Sequence, residues 1–281
     1  MPTIKLIADS GSTKTEWCLL NGKKKTIIVS QGMSPYFING TKMEAIIANE
    51  VVRSLKTKKV DEIYFYGTGC SNPENARMVK KALKNSFADA KISVETDVAG
   101  AAKGLCGNEK GIACILGTGS SSCYYNGKRI VKNSPGLGYV LGDEGSGAYL
   151  GKKVIQHFLY NIFDEDLRAR FDAKFVTTAN EILNAVYKEP LANRYLATFA
   201  IFLAENRGNS MIENIIEDGF NDFFHTQISK YPESFSLPIH FTGGIAFGFH
   251  DVLAKLCKNN RLQLGNVLKN PMEGLIKYHG E

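Results

Sequence analysis

Two short segments that combine glycine with hydroxyl side chains carry the clearest chemical signal in the sequence. The first follows an apolar run beginning at Ile4 and reads Asp9-Ser10-Gly11-Ser12-Thr13-Lys14. Backbone N–H groups and hydroxyls that converge around a glycine suit phosphate oxygens, and a neighbouring carboxylate suits Mg²⁺. An ordinary polar hairpin with a structural aspartate remains the alternative for this segment taken alone.

A second copy of the pattern stands later in the chain. An apolar run from Ile112 leads into Gly117-Thr118-Gly119-Ser120, and another apolar stretch follows. Both copies close with an Asn-Gly pair, Asn21-Gly22 and Asn126-Gly127, which predicts a type I′ hairpin turn in each. Two such hairpins indicate a duplicated α/β unit that holds a phosphate between its halves.

The elements around the first segment place further polar residues at the ends of strands. The predicted order is β-β-β-α-β-α-β-α, with strands at 60–66 and 92–96. Parallel sheets bind ligands at the carboxyl ends of their strands. Asp9, the turn 67–71 with Gly69, and Asp97 all fall at such ends, so we expect them to share one cleft.

Two glycine-rich stretches in the second half are further candidates. Segment 134–151 contains Gly138, Asp143 and Glu144 but neither a dinucleotide fingerprint nor a P-loop. The two acids could simply cap the following helix, whereas so many glycines favour a backbone packed against a ligand. Gly243-Gly244 follows a predicted strand at 237–241, where a flat ring could lie on exposed backbone; a purely structural turn is the alternative.

The remaining pattern predicts mostly helices. Capping boxes are expected at Thr41–Glu44 and Thr178–Glu181, and Asn72-Pro73 is typical of a helix start. The block 149–229 is interpreted as a structural helical region. A short final helix is expected within 270–278.

The amino-acid composition argues against two classes of binding partner, nucleic acids and membranes. The 281 residues are 44% hydrophobic and 22% charged, with a net charge of +6, which is typical of a globular protein that binds neither nucleic acid nor membrane. No secretory signal is apparent, so a cytoplasmic location is expected. The six cysteines are scattered beside apolar runs and are interpreted as buried thiols, not as zinc or iron–sulfur ligands.

The ordered motifs together are distinctive: D-S-G-S-T-K-T-E-W, T-D-V-A-G-A-A, L-G-T-G-S-S, G-L-G-Y-V-L-G-D-E-G-S-G and T-G-G-I-A. This set resembles the N-acetylglucosamine kinases of the BadF/BadG/BcrA/BcrD ATPase group, in the sugar kinase, heat-shock protein 70 and actin superfamily. The resemblance implies an α/β fold of two ribonuclease H-like (actin-like ATPase) domains, each with a mixed five-stranded sheet, and an interdomain cleft. The expected domains are 1–109 and 110–281, with a helical insertion at about 150–230 and a final helix that could pack back on the first domain.

The resemblance also implies a role for each motif. The first segment would be the phosphate-1 motif, with Asp9 near Mg²⁺, and the second the phosphate-2 motif. Asp97 would be the general base toward the sugar hydroxyl. The expected ATP-binding residues are Ser10, Gly11, Ser12, Thr13, Lys14, Gly117, Thr118, Gly119, Ser120, Gly243 and Gly244; the expected sugar-binding residues are Ser34, Gly69, Asp97, Gly138, Asp143 and Glu144.

The implied activity is that of an ATP- and Mg²⁺-dependent amino-sugar kinase, with N-acetylglucosamine as the expected substrate and a homodimer as the expected assembly. Two positions depart from the family pattern: Ser34 replaces a usual asparagine, and Leu137 stands where animal relatives carry a tryptophan. Both departures lie near the expected sugar pocket. An ATPase that activates a reductase or dehydratase, or an inactive sugar- or nucleotide-binding protein, are the alternatives.

Overall fold

The computed structural model describes residues 3–55, 59–134 and 136–280. The chain divides into two compact units. The first unit contains the residues up to Lys110, Tyr125–Ile130 and the residues from Asn270 onward; the second contains Gly111–Tyr124 and Val131–Lys269. Each unit is built around its own five-stranded sheet.

The first sheet combines a two-hairpin meander with two parallel strands. Its strands are β1 (Ile4–Ser10), β2 (Lys14–Asn21), β3 (Lys24–Gln31), β4 (Glu62–Gly67) and β5 (Lys91–Thr96), in the order β3-β2-β1-β4-β5. β2 runs antiparallel to β1 and β3, whereas β1, β4 and β5 are parallel. The carboxyl ends of β1, β4 and β5 therefore lie at one edge of the sheet.

Helices cover the faces of this sheet. They are α1 (Gly40–Ile46), continued by a π-helical segment (Ile47–Val52) and α2 (Arg53–Leu55), then α3 (Pro73–Ser86) and α4 (Asp97–Cys106). The predicted start of α3 is confirmed: the Asn72 side chain accepts a hydrogen bond from the Glu74 N–H. The capping box predicted at Thr41 is wrong, because Asn39 caps α1 by accepting from the Lys42 N–H.

The second sheet repeats the strand order of the first. Its strands are β6 (Lys110–Leu116), β7 (Ser120–Asn126), β8 (Ile130–Asn133), β9 (Ile239–Thr242) and β10 (Leu264–Leu268), in the order β10-β9-β6-β7-β8. β9 is parallel to both β6 and β10. Read from β8 the order is 8-7-6-9-10, the same pattern as 3-2-1-4-5. The predicted fold class, two actin-like ATPase units with five-stranded sheets, is confirmed.

A large helical block separates β8 from β9. It contains α5 (Gly138–Leu141), α6 (Gly147–Leu159), α7 (Glu165–Lys174), α8 (Ala179–Tyr187), α9 (Ala192–Thr198), α10 (Ala200–Glu205), α11 (Ser210–Thr226) and two 3-10 turns (Ile228–Lys230, Pro232–Phe235); α12 (Gly244–Gly248) and α13 (His250–Asn259) follow β9. The capping box at Thr178 is confirmed by reciprocal bonds with Glu181. Phe158, Phe171 and Phe202 form part of the buried core of this block.

The two hairpin turns differ from the type I′ prediction. Asn21 pairs with Lys24 across the first turn, and the Asn126 N–H donates to Arg129 O across the second. In each four-residue turn, asparagine is therefore the first residue and glycine is the first of the two central residues. The φ angle is 58° at Gly22 and 86° at Gly127. A positive φ at that position is what type II′ turns require. The two copies still share one turn geometry.

The last helix, α14 (Met272–Gly280), belongs to the first unit. It packs on α4, β1 and β2. A Cβ added at Gly274 would lie only 1.8 Å from Gly104 O, so the close helix crossing requires glycine there. Leu275 and Ile276 bury their side chains against Ile7 and Tyr66.

Two further sequence expectations concern the whole chain. All six cysteines are buried, as predicted. Among the residues that the structure describes, none of the helices combines the length and the apolar character needed to cross a bilayer.

Candidate functional site

The first hairpin loop is held rigidly by its neighbours. Ser10 is buried, and its hydroxyl bonds to Thr15 Oγ1 at 2.7 Å and accepts from the Met33 N–H at 3.3 Å. Gly32 lies against the loop so closely that a Cβ there would be 2.4 Å from Ser12 O. The Ser10 side chain therefore supports the loop, while Thr13 and Lys14 at its tip are exposed.

Asp9 lies just before this loop, at the end of β1, and is partly buried. Its pKa is raised to about 7, first by burial and then by the negative charges of Asp97 and Glu16, with Lys14 opposing. A cation bound beside this carboxyl group would favour its ionised form. It would offset the cost of burial and the repulsion from the neighbouring carboxylates. The site is thus chemically suited to a positive charge.

The residues fit a magnesium ion that keeps part of its water shell. Within the described part of the chain, no three His, Cys, Asp or Glu side chains group into a metal site. Mg²⁺ commonly uses only one or two carboxylates and completes its shell with water and substrate phosphates. Asp9 meets that requirement as a single carboxylate beside a loop with the composition of a phosphate-binding turn.

Asp97 is the first residue of α4, and each of its two carboxylate oxygens accepts a hydrogen bond. Oδ2 accepts a hydrogen bond from Thr68 Oγ1 at 2.6 Å, and Oδ1 accepts from the Val98 N–H at 2.9 Å. Burial raises the pKa of Asp97, whereas the bonds from Thr68 and the backbone lower it. A partly buried carboxylate of this kind is a candidate general base.

The turn after β4 completes the first unit's cluster. The Thr68 N–H donates to Ser10 O at 3.0 Å, which joins the turn to the end of β1. Gly69 has φ of 84°, and a Cβ there would lie 2.9 Å from the Tyr36 ring. The predicted sugar-binding residues Ser34 and Gly69 therefore lie in adjoining segments, and the first unit brings them together with Asp97.

Ser34 carries an unusual hydroxyl. The residue is buried, and among the described residues its Oγ has no hydrogen-bond partner. Leaving a buried hydroxyl unpaired costs about 1–3 kcal/mol. A ligand hydroxyl or amide would satisfy it, so this side chain is a candidate contact to substrate.

In the second unit, the loop Gly117–Ser120 is supported by the start of α6. The Gly147 N–H donates to Gly117 O at 2.8 Å and the Ala148 N–H donates to Thr118 O at 3.1 Å. Ser146 caps α6 by accepting from the Tyr149 N–H. Asp143 and Glu144 are therefore not the caps of this helix.

Asp143 lies against the second loop. Its Oδ1 accepts from the Ser120 N–H at 3.4 Å, and a Cβ on Gly119 would be 2.9 Å from Oδ2. Its backbone is left-handed, with φ of 58°, a conformation that is uncommon outside glycine and often marks functional sites. Glu144 lies beside Gly142, and Gly138 starts the exposed helix α5.

Gly243 connects the end of β9 to the same loop. Its φ is 119°, and a Cβ there would lie 2.2 Å from Leu116 O, so only glycine fits. At Gly244 an added Cβ would meet open space. The second unit therefore gathers the loop Gly117–Ser120, Asp143 and the glycine pair into one region.

Two buried hydroxyls mark this region as well. Among the described residues, neither Ser120 Oγ nor Thr242 Oγ1 has a hydrogen-bond partner. Both side chains are buried, and both belong to segments predicted to hold the nucleotide. Unpaired donors next to glycine loops fit a polar ligand such as a nucleotide.

Sequence reasoning missed Thr68 and Thr242. Thr68 lies between two glycines after a strand, in a turn that was recognised, but its partner Asp97 is 29 positions away. Thr242 belongs to the T-G-G-I-A motif, in which the sequence indicates a role only for the two glycines. Only the fold shows which hydroxyls meet a partner and which do not.

The model of the BadF/BadG/BcrA/BcrD ATPase family matches residues 8–271. A solved structure of a candidate N-acetylglucosamine kinase from Porphyromonas gingivalis is 39% identical, with a TM-score of 0.93 over 98% of each chain. A candidate N-acetylglucosamine kinase from Chromobacterium violaceum, 18% identical with a TM-score of 0.68 over 99% of each chain, shares the fold.

Among curated proteins, the N-acetylmuramic acid/N-acetylglucosamine kinase of Clostridium acetobutylicum is 24% identical over 166 residues. That match covers 56% of this chain and 53% of the relative, so it spans about half the length of each. The family match extends over nearly the whole chain and confirms the resemblance inferred from the motifs. The chain belongs to the BadF/BadG/BcrA/BcrD ATPase family.

Proposed function

We propose that this protein is an ATP-dependent amino-sugar kinase that transfers the γ-phosphate to the 6-hydroxyl of N-acetylglucosamine. The observation that carries the proposal is the Asp97 carboxylate, which is partly buried, held through both oxygens and located beside Asp9 and the Ser34 loop. The 39% identity to a candidate N-acetylglucosamine kinase over almost the full chain supports the choice of sugar.

The proposed roles differ between the residues of the first unit and those of the second. In the first unit, Asp97 is the base, the segments of Ser34 and Gly69 contact the sugar, and the loop that follows Asp9 contacts phosphate. In the second unit, the loop Gly117–Ser120 contacts phosphate and Gly243-Gly244 supports the adenosine. Asp143 bonds to the second loop through the Ser120 N–H, and Asp143 and Glu144 are the proposed sugar contacts of this unit.

Phosphoryl transfer asks the protein for alignment and charge stabilisation. Asp97 accepts the proton of the attacking hydroxyl, a contribution on the order of 10²–10⁴-fold in rate. Mg²⁺, when bound near Asp9, would neutralise charge on the phosphates of ATP. Exclusion of water from the site would prevent hydrolysis of ATP from competing with transfer.

We further propose that the protein acts in the cytoplasm as a homodimer. Light scattering coupled to size exclusion is expected to give twice the 30.9 kDa chain mass. A mass equal to one chain would contradict the dimer.

An ADP-release assay against a panel of amino sugars and hexoses tests the activity. We expect the highest kcat/KM with N-acetylglucosamine, and a loss of at least about 100-fold for Asp97→Asn because the amide cannot accept the proton. Equal turnover by a folded Asp97→Asn variant would contradict the assignment of the base. Glu62→Gln, a carboxyl-to-amide change at the opposite end of β4, serves as the matched control.

A further inference from the structure

The turn between β4 and α3 contains a threonine, Thr68, whose side chain bonds to the proposed base. Thr68 Oγ1 donates to Asp97 Oδ2 at 2.6 Å. Hydrogen bonds from a hydroxyl to an ionised carboxylate are typically 2.5–2.7 Å long and about twice as strong as neutral ones. The Thr68–Asp97 bond has a length that fits a strong, charge-assisted bond to the carboxylate.

The backbone of this turn is fixed on both sides of Thr68. The Thr68 N–H donates to Ser10 O at 3.0 Å, and Asn75 Nδ2 donates to Gly69 O at 3.0 Å. Gly69, with its left-handed backbone, packs closely against the Tyr36 ring. Because the turn is held in this way, the Thr68 hydroxyl has a defined position from which to donate.

The second oxygen of Asp97 is restrained independently. Oδ1 accepts from the Val98 N–H at 2.9 Å, within the first turn of α4. That bond alone leaves the carboxylate free to rotate about its own axis toward or away from β4. The hydroxyl of Thr68 removes this freedom, since both oxygens are then fixed and the plane of the carboxylate is set.

We propose that Thr68 is a positioning residue that orients the Asp97 carboxylate for proton abstraction from the sugar. The inference rests on the proposed kinase function and adds to it a residue that does not touch the reacting atoms. A general base must lie within hydrogen-bond reach of the proton that it accepts, so a rotated carboxylate would slow the chemical step more than it would weaken binding.

The alternative is that Thr68 only stabilises the turn. Three substitutions separate the two roles. Thr68→Val keeps the shape of the side chain and removes the donor, Thr68→Ala removes both the donor and the bulk, and Thr68→Ser restores the donor. Thr178→Val is the matched control, because it removes a threonine hydroxyl that caps α8 in the second unit, far along the chain from Asp97.

The experiment measures kcat and KM for ATP and for N-acetylglucosamine. We expect Thr68→Val and Thr68→Ala to lower kcat by about 10–100-fold, by analogy with the loss of hydrogen-bond partners that orient metal-ligating side chains. KM for ATP should stay within about twofold, and Thr68→Ser should recover most of kcat. Thr178→Val should lower the melting temperature without changing kcat.

Two kinetic results would overturn the inference. One is a kcat of Thr68→Val within about twofold of the parent protein, since loss of the donor should slow a chemical step. The other is a Thr68→Ser variant as slow as Thr68→Val, because the hydroxyl would then not be the feature that matters. The melting temperature of each variant, measured alongside, identifies effects that come from unfolding.

A crystallographic comparison decides the point even if the parent protein phosphorylates no sugar, in which case the proposed function fails separately. Structures of Thr68→Val and Thr68→Ser are compared with that of the parent protein. The χ2 torsion of aspartate is broad and roughly two-fold, so the carboxylate can turn once the donor is lost. Rotation of the Asp97 carboxylate by more than about 30° in the valine variant, and its return in the serine variant, support the inference. An unchanged carboxylate in Thr68→Val would refute it.

Discussion

At the scale of single residues, ionisation of Asp9 lowers the free energy of unfolding. Its pKa in the folded protein is about 7, against an ordinary value of 3.8. Between these values the folded state binds more protons than the unfolded state, so the free energy of unfolding falls as the pH rises through this window. Function at neutral pH is expected to depend on the carboxylate that folding disfavours, a trade-off common at active sites.

Asp9→Asn should therefore stabilise the protein while reducing its activity. At pH 8 we expect the free energy of unfolding to rise by about 2–4 kcal/mol, because the neutral amide avoids the cost of a buried charge. The gain should shrink toward zero as the pH approaches 4. Urea unfolding at several pH values measures it, with Asp89→Asn at an exposed position of the same unit as the control. A destabilised variant at pH 8 would contradict this account.

Ser34 is an uncharged residue at which stability and proposed function are also opposed. Its buried hydroxyl lacks a partner among the described residues, so Ser34→Ala should leave the free energy of unfolding unchanged or raise it by about 1 kcal/mol. The KM for the sugar should rise several-fold, since a substrate contact is lost. An unchanged KM would remove Ser34 from the proposed sugar site.

Ser122→Ala provides the contrast for this test. Ser122 is equally buried, but its hydroxyl bonds to Gln227 Oε1 at 2.8 Å and to the Tyr231 hydroxyl at 2.9 Å. Its removal should destabilise the protein by about 1–3 kcal/mol, because both partners lose a bond. The KM for the sugar should not change.

At the scale of elements, the final helix is joined to the first sheet by a buried polar chain. Lys103 Nζ donates to the Tyr66 hydroxyl at 3.3 Å, and that hydroxyl lies 2.8 Å from His279 Nε2. Lys103 also pairs with Glu95 at 2.7 Å. Since Tyr66 accepts from Lys103, its own proton is directed at His279, which must be neutral to accept it. Burial and the charges of Lys103 and Lys5 lower the pKa of His279 to about 4.

Acidification should loosen this helix. The unfolded state takes up a proton at His279 near pH 6.5 while the folded state resists until about pH 4, so the free energy of unfolding falls as the pH drops through that window. Between pH 7 and pH 5 we expect a loss of about 2 kcal/mol from this group. His279→Gln should remove that part of the pH dependence, and His225→Gln, exposed on α11, should retain it. Equal pH profiles for both variants would contradict the assignment.

The elements also show where sequence patterns were sufficient. The order of strands and helices along the first unit, the start of α3 at Pro73 and the capping box at Thr178 follow from local signals that act within a few residues. The predictions that were wrong concern positions where two neighbouring residues could each fill the same structural role. Asn39 was preferred over Thr41 as the cap of α1, and Gly22 took the first central position of a turn in which Asn21 had been expected.

At the scale of the whole molecule, the duplicated sheets and the family match agree with the motifs read along the chain. The motifs located Asp97, the two loops and the glycine pair because those residues stand at strand ends. They did not reveal the partners Thr68 and Thr242, nor that Asp143 lies on the second loop, because these depend on elements brought together from distant parts of the sequence. The unpaired hydroxyls, likewise, become visible only once burial is known.

The most direct test of the account is the identity of the product. The protein, with ATP, Mg²⁺ and N-acetylglucosamine, is followed by ³¹P NMR, and the phosphorylated carbon is identified by its coupling to phosphorus. We predict N-acetylglucosamine 6-phosphate formed in equal amount to ADP, and both products formed at least about 100-fold more slowly with Asp97→Asn. ADP released without any phosphorylated sugar would contradict the proposal that this protein is a sugar kinase.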